Sequence, residues 1–139
     1  MSALDHLFVY GTLRRDSGHD AHRFLAEGAS YVAAGTVRGV LYRLGWHPGA
    51  VLSEDGDSWI RGELYKMHDA AQLLAVLDDY EGCGPADPEP HRFARVDAQV
   101  RLHDGGDATA WIYVFRASTE DALRIDSGDW VQATTSAKP

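Results

Sequence analysis

Cysteine is almost absent from this chain: Cys83 stands alone. One thiol cannot close an internal disulfide, and it cannot supply a cysteine cluster for a metal. Long apolar runs are missing as well. None approaches the ~20 residues that a membrane span needs, so no membrane partner is expected. The amino-terminal stretch carries Asp5 and lacks the basic and apolar regions of a signal peptide, which makes a cytoplasmic location the expectation. Positive charge is scarce: 13 Lys and Arg face 21 Asp and Glu, a formal charge of −8 at pH 7. Nucleic-acid binding needs a basic surface against the phosphates, so no nucleic-acid partner is expected. A small charged or polar metabolite fits this balance better.

Hydrophobic residues are plentiful, at 45% of 139. That supports one domain with a sizeable core, taken as residues 1–132, and argues against overall disorder. Residues 133–139 read as a flexible tail.

The first strand signal runs from Asp5 to Tyr10, with Leu7, Phe8 and Val9 as its apolar run and Gly11 stopping it. Gly11 has no Cβ, so it can take φ > 0 or let another group approach its backbone. The loop Tyr10-Gly11-Thr12-Leu13 that follows has two open readings. Its successive N–H groups could converge on an anion, or it is an ordinary turn at a strand end.

Asp20 to Glu27 reads as one or two helical turns with Asp20 as N-cap, Phe24 and Leu25 inward and Gly28 as the stop. Val37 to Leu44 and Ile60 to Met67 then share apolar, Gly and Leu-Tyr positions at the same offsets. They read as two strands crossing similar positions of one curved sheet, bending at Gly39 and Gly62. Turns are expected at Pro48-Gly49 and at Glu54 to Asp57.

Asp69 caps a helix over 70–80, with an apolar stripe of Leu73, Leu74, Leu77 and Tyr80. Residues 74, 77 and 81 have heptad spacing, which places Glu81 within about 20° of Leu74 around the axis. Glu81 therefore faces the core side, while Asp78 and Asp79 face solvent. Cys83 to Pro90 holds three prolines and reads as an exposed loop. Residues 94–102 alternate apolar and polar, Asp104-Gly105-Gly106-Asp107 forms a hairpin turn, and Ala110 to Phe115 is apolar on both faces. Such a strand lies in a sheet covered by helices or in a small closed barrel.

Four stretches, in order, are Tyr10-Gly11-Thr12-Leu13, Gly45-Trp46-His47-Pro48-Gly49-Ala50, Ile60-Arg61-Gly62-Glu63-Leu64-Tyr65 and Leu77-Asp78-Asp79-Tyr80-Glu81-Gly82. Together they resemble the gamma-glutamyl cyclotransferase-like superfamily over nearly the whole chain, from Phe8 to about Trp130. Ile125 to Trp130 resembles a carboxyl-terminal segment of bacterial members. The resemblance implies an α+β fold, a mixed, curled sheet forming a small barrel with a few short helices. It implies an enzyme without cofactor or metal that turns a γ-glutamyl amine or γ-glutamyl amino acid into 5-oxoproline and a free amine or amino acid. It makes Glu81 the acid/base. Tyr10, Gly11, Thr12, Leu13, Pro48, Gly49 and Tyr113 are the substrate-binding positions. A monomer or a homodimer fits.

The residues can be asked to do this chemistry. The substrate's own α-amine attacks its side-chain carbonyl, so the protein need only fold the substrate, move protons and stabilise the oxyanion. A free Glu, with pKa ~4.3, is a weak base for an ammonium. A core-facing position and the negative end of a helix dipole both raise it. A C-cap glutamate with no task is the alternative. Backbone N–H groups of residues 11–13 suit the α-carboxylate, with Arg14 as charge partner.

Weaker candidates are a Cys83–His91 nucleophile pair and a metal site at His19 and His22 with Asp16 and Asp20. Trp46, Trp111 and Tyr113 read as core or pocket wall. Phe93-Ala94-Arg95 departs from the Tyr-x-Arg of many relatives, a missing hydroxyl that bears on substrate identity. A non-catalytic small-carboxylate binder and a γ-glutamyl amide hydrolase are the alternatives to a cyclotransferase.

Overall fold

The strand that is apolar on both faces organises the molecule. In the computed structural model, which describes residues 4–18, 20–45, 47–53 and 56–136, this strand is β6 (Asp107–Phe115). Ala110, Ile112 and Val114 face one cluster of buried side chains, with Phe8, Leu41, Ile60, Leu64 and Val100. Tyr113 and Phe115 face the other, with Leu7, Val9, Tyr65 and the helix residues Leu25, Leu73, Leu74 and Leu77. The two clusters are the inside of a barrel and the layer between that barrel and its helices. Both alternatives for this strand therefore hold at once.

The barrel closes through β1 (His6–Val9), β2 (Ala29–Arg43), β4 (Trp59–Met67), β5 (Phe93–Leu102) and β6. β2 pairs with β4, β4 with β1, β1 with β6, β6 with β5, and β5 returns to β2. The β1–β6 pair is parallel and the rest are antiparallel, so the sheet is mixed. Closure leaves no long free edge among these five strands. The two similar segments are neighbours, with Val37 opposite Ile60, and both side chains point into the barrel. The expected strand from Val37 is the second half of a strand of 15 residues. That half also carries β3 (Pro48–Leu52) and β7 (Leu123–Ile125).

Pro48-Gly49 is not a turn. The reversal lies just before it, where Leu44 N–H donates to His47 O and Gly45 takes φ +86°; Pro48 already pairs with Arg43. Glu54 and Asp55, of the second expected turn, lie outside the described residues.

Helix α1 (Ala21–Gly28) buries Leu25, but Phe24 is 40% exposed. Phe24 sits about 100° around the axis from Leu25, outside the stripe that this helix buries. Asp20 gives no side-chain cap. Helix α2 spans Ala70–Tyr80, and the Asp69 carboxylate accepts from Gln72 N–H as its N-cap. Leu73, Leu74 and Leu77 are buried, whereas Tyr80 is half exposed. The helix ends in a Schellman motif: Cys83 N–H donates to Asp78 O and Gly82 N–H to Asp79 O, with Gly82 at φ +77°. That geometry fixes the C-cap, which is Glu81.

A third helix, α3 (Trp130–Ser136), occupies part of the expected tail. Trp130 is buried in the barrel cluster and Asp129 accepts from Gln132 N–H, so this segment is anchored and capped. Residues 137–139 lie outside the described residues. Among the described residues no helix is long and apolar enough to cross a membrane.

Candidate active site

A cavity of about 450 Å³ opens where β1 ends, α2 ends and β5 begins. Its walls come from three sources: the loop Tyr10 to Leu13 after β1, the entry of β3 at His47 and Pro48, and Tyr80 to Gly82 with Asp87, Pro88, Pro90, His91, Arg92 and the first residue of β5, Phe93. Tyr113 of β6 also lines it.

Glu81 lines this cavity. Its carboxylate has no hydrogen-bond or ion-pair partner among the described residues. Burial pushes its pKa up to about 7 from an ordinary value of 4.5, because the charged form has lost water without gaining a donor. A carboxyl poised there exchanges protons near neutrality. Glu81 N–H donates to Leu77 O at 2.8 Å, so the backbone under the carboxylate belongs to the helix end.

The loop after β1 faces the same cavity. The amides of Gly11, Thr12 and Leu13 have no acceptor among the described residues. Gly11 does not take φ > 0; the positive-φ glycines are 18, 45, 82, 105 and 128. Its missing side chain matters for a different reason. A Cβ there would stand 2.7 Å from Pro48 Cγ, so only glycine lets the two walls touch. Thr12 Oγ1 reaches Tyr80 Oη at 3.5 Å across the cavity mouth.

Tyr10 ties three walls together. Its buried hydroxyl donates to Tyr113 O at 2.6 Å and accepts from Ala50 N–H at 3.2 Å. Burial and the Glu81 charge raise the phenol far above its usual range, so it stays protonated. Tyr113 presents its ring to the cavity while its hydroxyl donates to Asp78 Oδ1 at 2.7 Å. Gly49 does not line the cavity. A Cβ on it would meet Leu44 Cδ1 at 2.5 Å and Phe115 Cβ at 3.0 Å.

Arg14 is not placed to meet a substrate carboxylate. It is 7% exposed, and its guanidinium is taken by both oxygens of Asp16 and by Asp129 Oδ1 at 2.9 Å. These two aspartates tie the loop to the segment before α3. Asp78 also departs from expectation. Burial would raise its pKa, but Arg95, gripping both oxygens, and the Tyr113 hydroxyl together hold it below the usual range. Asp79 is exposed as expected.

Glu63 is a site-supporting residue that the sequence reading left without a role. It is 4% exposed, and its Oε1 accepts from Arg15 N–H at 2.8 Å and from the Tyr65 hydroxyl at 3.0 Å. Its Oε2 lies 3.4 Å from Arg15 Nε. The signal was a carboxylate set between apolar residues in a central strand, which must be paired if buried.

The weaker candidates separate. Cys83 is not part of the cavity wall, and burial together with the charges of Asp78 and Glu81 pushes its thiol up to about 11. His91 lines the cavity, with Nε2 3.1 Å from Asp87 O. Asp16 is spent on Arg14, and His22 Nδ1 lies 3.0 Å from Leu13 O. Among the described residues no three His, Cys, Asp or Glu side chains are grouped to hold a metal. His19 and Trp46 lie outside them.

Residues 7–132 match the family model described as gamma-glutamyl cyclotransferase, AIG2-like. A putative gamma-glutamylcyclotransferase of Vibrio cholerae is 33% identical over 131 residues, covering 93% of this chain and 98% of that protein. The gamma-glutamylaminecyclotransferase of Rattus norvegicus is 31% identical over 107 residues, covering 70% of this chain and 64% of that protein. The solution structure of ytfP from Escherichia coli superposes with a TM-score of 0.63 at 28% identity, covering 93% of this chain and 98% of that one.

Proposed function

The chain belongs to the gamma-glutamyl cyclotransferase, AIG2-like family, and from that premise we propose that it cyclises a γ-glutamyl amide with Glu81 as general acid/base. The observation that carries this reading is the Glu81 carboxyl itself: it lines the cavity and has no internal partner among the described residues, and burial pushes its pKa up to about 7.

The glutamyl part sits with its α-carboxylate on the free amides of residues 11–13, where converging N–H groups favour an anion. Glu81 takes a proton from the α-ammonium. The freed amine nitrogen attacks the γ-carbonyl carbon, and a five-membered ring closes. As the tetrahedral oxyanion re-forms the carbonyl, the carbon–nitrogen bond to the leaving amine breaks, Glu81 returns its proton to that nitrogen, and the ring nitrogen gives up its second proton to solvent to become the lactam N–H. The products are 5-oxoproline and a free amine or amino acid. Both reacting groups belong to one molecule, so folding the substrate supplies most of the proximity effect. Tyr10, Leu13, Pro48 and the Tyr113 ring shape the space, and Thr12 with Tyr80 flanks the entrance. Gly49 contributes indirectly, by letting Leu44 and Phe115 close up around it.

The test is incubation with a panel of γ-glutamyl amines and γ-glutamyl amino acids, with product analysis. We expect 5-oxoproline from at least one of them. Free glutamate in its place would mean that water is the nucleophile, and tight binding without turnover would mean a binding protein.

A further inference from the structure

We propose that Arg92 selects substrates whose leaving part carries an anionic group, a carboxylate, so that γ-glutamyl amino acids are favoured over γ-glutamyl amines. This rests on the cyclotransferase reading above.

Arg14 and Arg95 do not line the cavity and are saturated elsewhere: Arg14 by Asp16 and Asp129, Arg95 by Asp78. Arg92 lines the cavity and is exposed, yet its guanidinium has no carboxylate partner among the described residues. In a chain with a net charge of −8, an arginine left unpaired on a cavity wall is not for want of carboxylates. Asp87, an acidic residue of the same wall segment, spends Oδ2 on Gly84 N–H at 2.9 Å. Arg92 is also oriented: its Cζ lies 5.5 Å from the Phe115 ring centroid, a contact that favours a guanidinium over an ammonium.

The second step is by elimination among the walls. The glutamyl part takes the loop after β1, and Glu81 takes the reacting atoms. The wall left for the leaving part is the segment 87–93. The charged side chains of that segment that line the cavity are Asp87, already hydrogen-bonded, and Arg92, whose planar fork matches a carboxylate. Phe93 beside it is apolar, so this wall offers no phenol hydroxyl at that position.

The experiment compares γ-glutamyl-alanine with γ-glutamyl-alaninamide, which differ only in that carboxylate, on wild type, Arg92→Gln and Arg92→Lys. Wild type should prefer the free acid by about tenfold in kcat/KM, mostly through KM, as a single charge-assisted contact predicts. The preference should collapse to within about threefold in Arg92→Gln and stand between the two in Arg92→Lys. Thermal melts of the variants should match wild type, since Arg92 is exposed. Equal turnover of the two compounds by wild type, or a preference that survives Arg92→Gln, would overturn the inference while leaving cyclisation intact. Absence of 5-oxoproline from these and from the wider panel would overturn the cyclotransferase reading, and this inference with it.

Discussion

Pro48 Cγ stands 2.7 Å from the place a Cβ on Gly11 would occupy. Two loops far apart in sequence meet at this point, and together they make one wall of the cavity. The contact is possible because the residue on one side has no side chain.

Gly11→Ala should therefore open that wall. The added carbon cannot be absorbed at 2.7 Å, so the loop after β1 or the entry of β3 must shift. We expect KM for a γ-glutamyl substrate to rise about tenfold or more and the melting temperature to fall, the signs of overpacking. Thr12→Ala should stay within a few-fold of wild type, because the backbone amides remain. Steady-state kinetics of the two variants, with thermal melts alongside, check this pair.

Glu63→Gln tests whether the buried carboxylate holds the loop. The amide keeps the shape but sets a donor where Arg15 or Tyr65 now donates. Mispairing of this kind costs about 1–3 kcal/mol. Urea denaturation should show that loss, and kcat/KM should fall with little change in the pH at which activity is half-maximal. An unchanged midpoint in urea would mean that Arg15 and Tyr65 find water instead.

Glu81 should make the protein less stable as pH rises. Its native pKa of about 7 lies above the ordinary 4.5. Below 4.5 both folded and unfolded chains hold the proton and nothing is lost. Between 4.5 and 7 the unfolded chain releases it while the native chain keeps it, so stability falls, and above 7 the full cost is present. At about 1.4 kcal/mol per pH unit the ceiling is about 3 kcal/mol; partial exposure brings the expectation to about 1–2 kcal/mol. Glu81→Gln removes the titration. Its stability relative to wild type, from denaturant melts, should improve by that amount between pH 4.5 and pH 8.

Much of this was legible in the chain. The helix at 70–80 has its cap at Asp69 and a glycine after its last turn, so local chemistry sets both ends. The two-faced strand at 110–115 pointed to a helix-covered sheet or a small closed barrel, and the fold combines the two. Other features depended on contacts distant in sequence. Arg14 looked available until the fold brought Asp129 to it from 115 residues away. Asp78 looked solvated because helix periodicity says nothing about Arg95 and Tyr113 arriving from neighbouring strands. Gly49 shares the apparent motif of Pro48 but faces the packed side, since successive strand residues point opposite ways.

The pH dependence of kcat/KM, measured from pH 3.5 to pH 9 on wild type and Glu81→Gln, decides whether Glu81 is the base. If Glu81 is the base, the wild-type rate rises with pH through an apparent pKa near 7 and then levels. Glu81→Gln should fold, bind ligand and turn over at least about 10²-fold more slowly, with that limb gone. A variant within a few-fold of wild type, or a wild-type limb at an ordinary carboxylate pKa of about 4.3, would contradict the account.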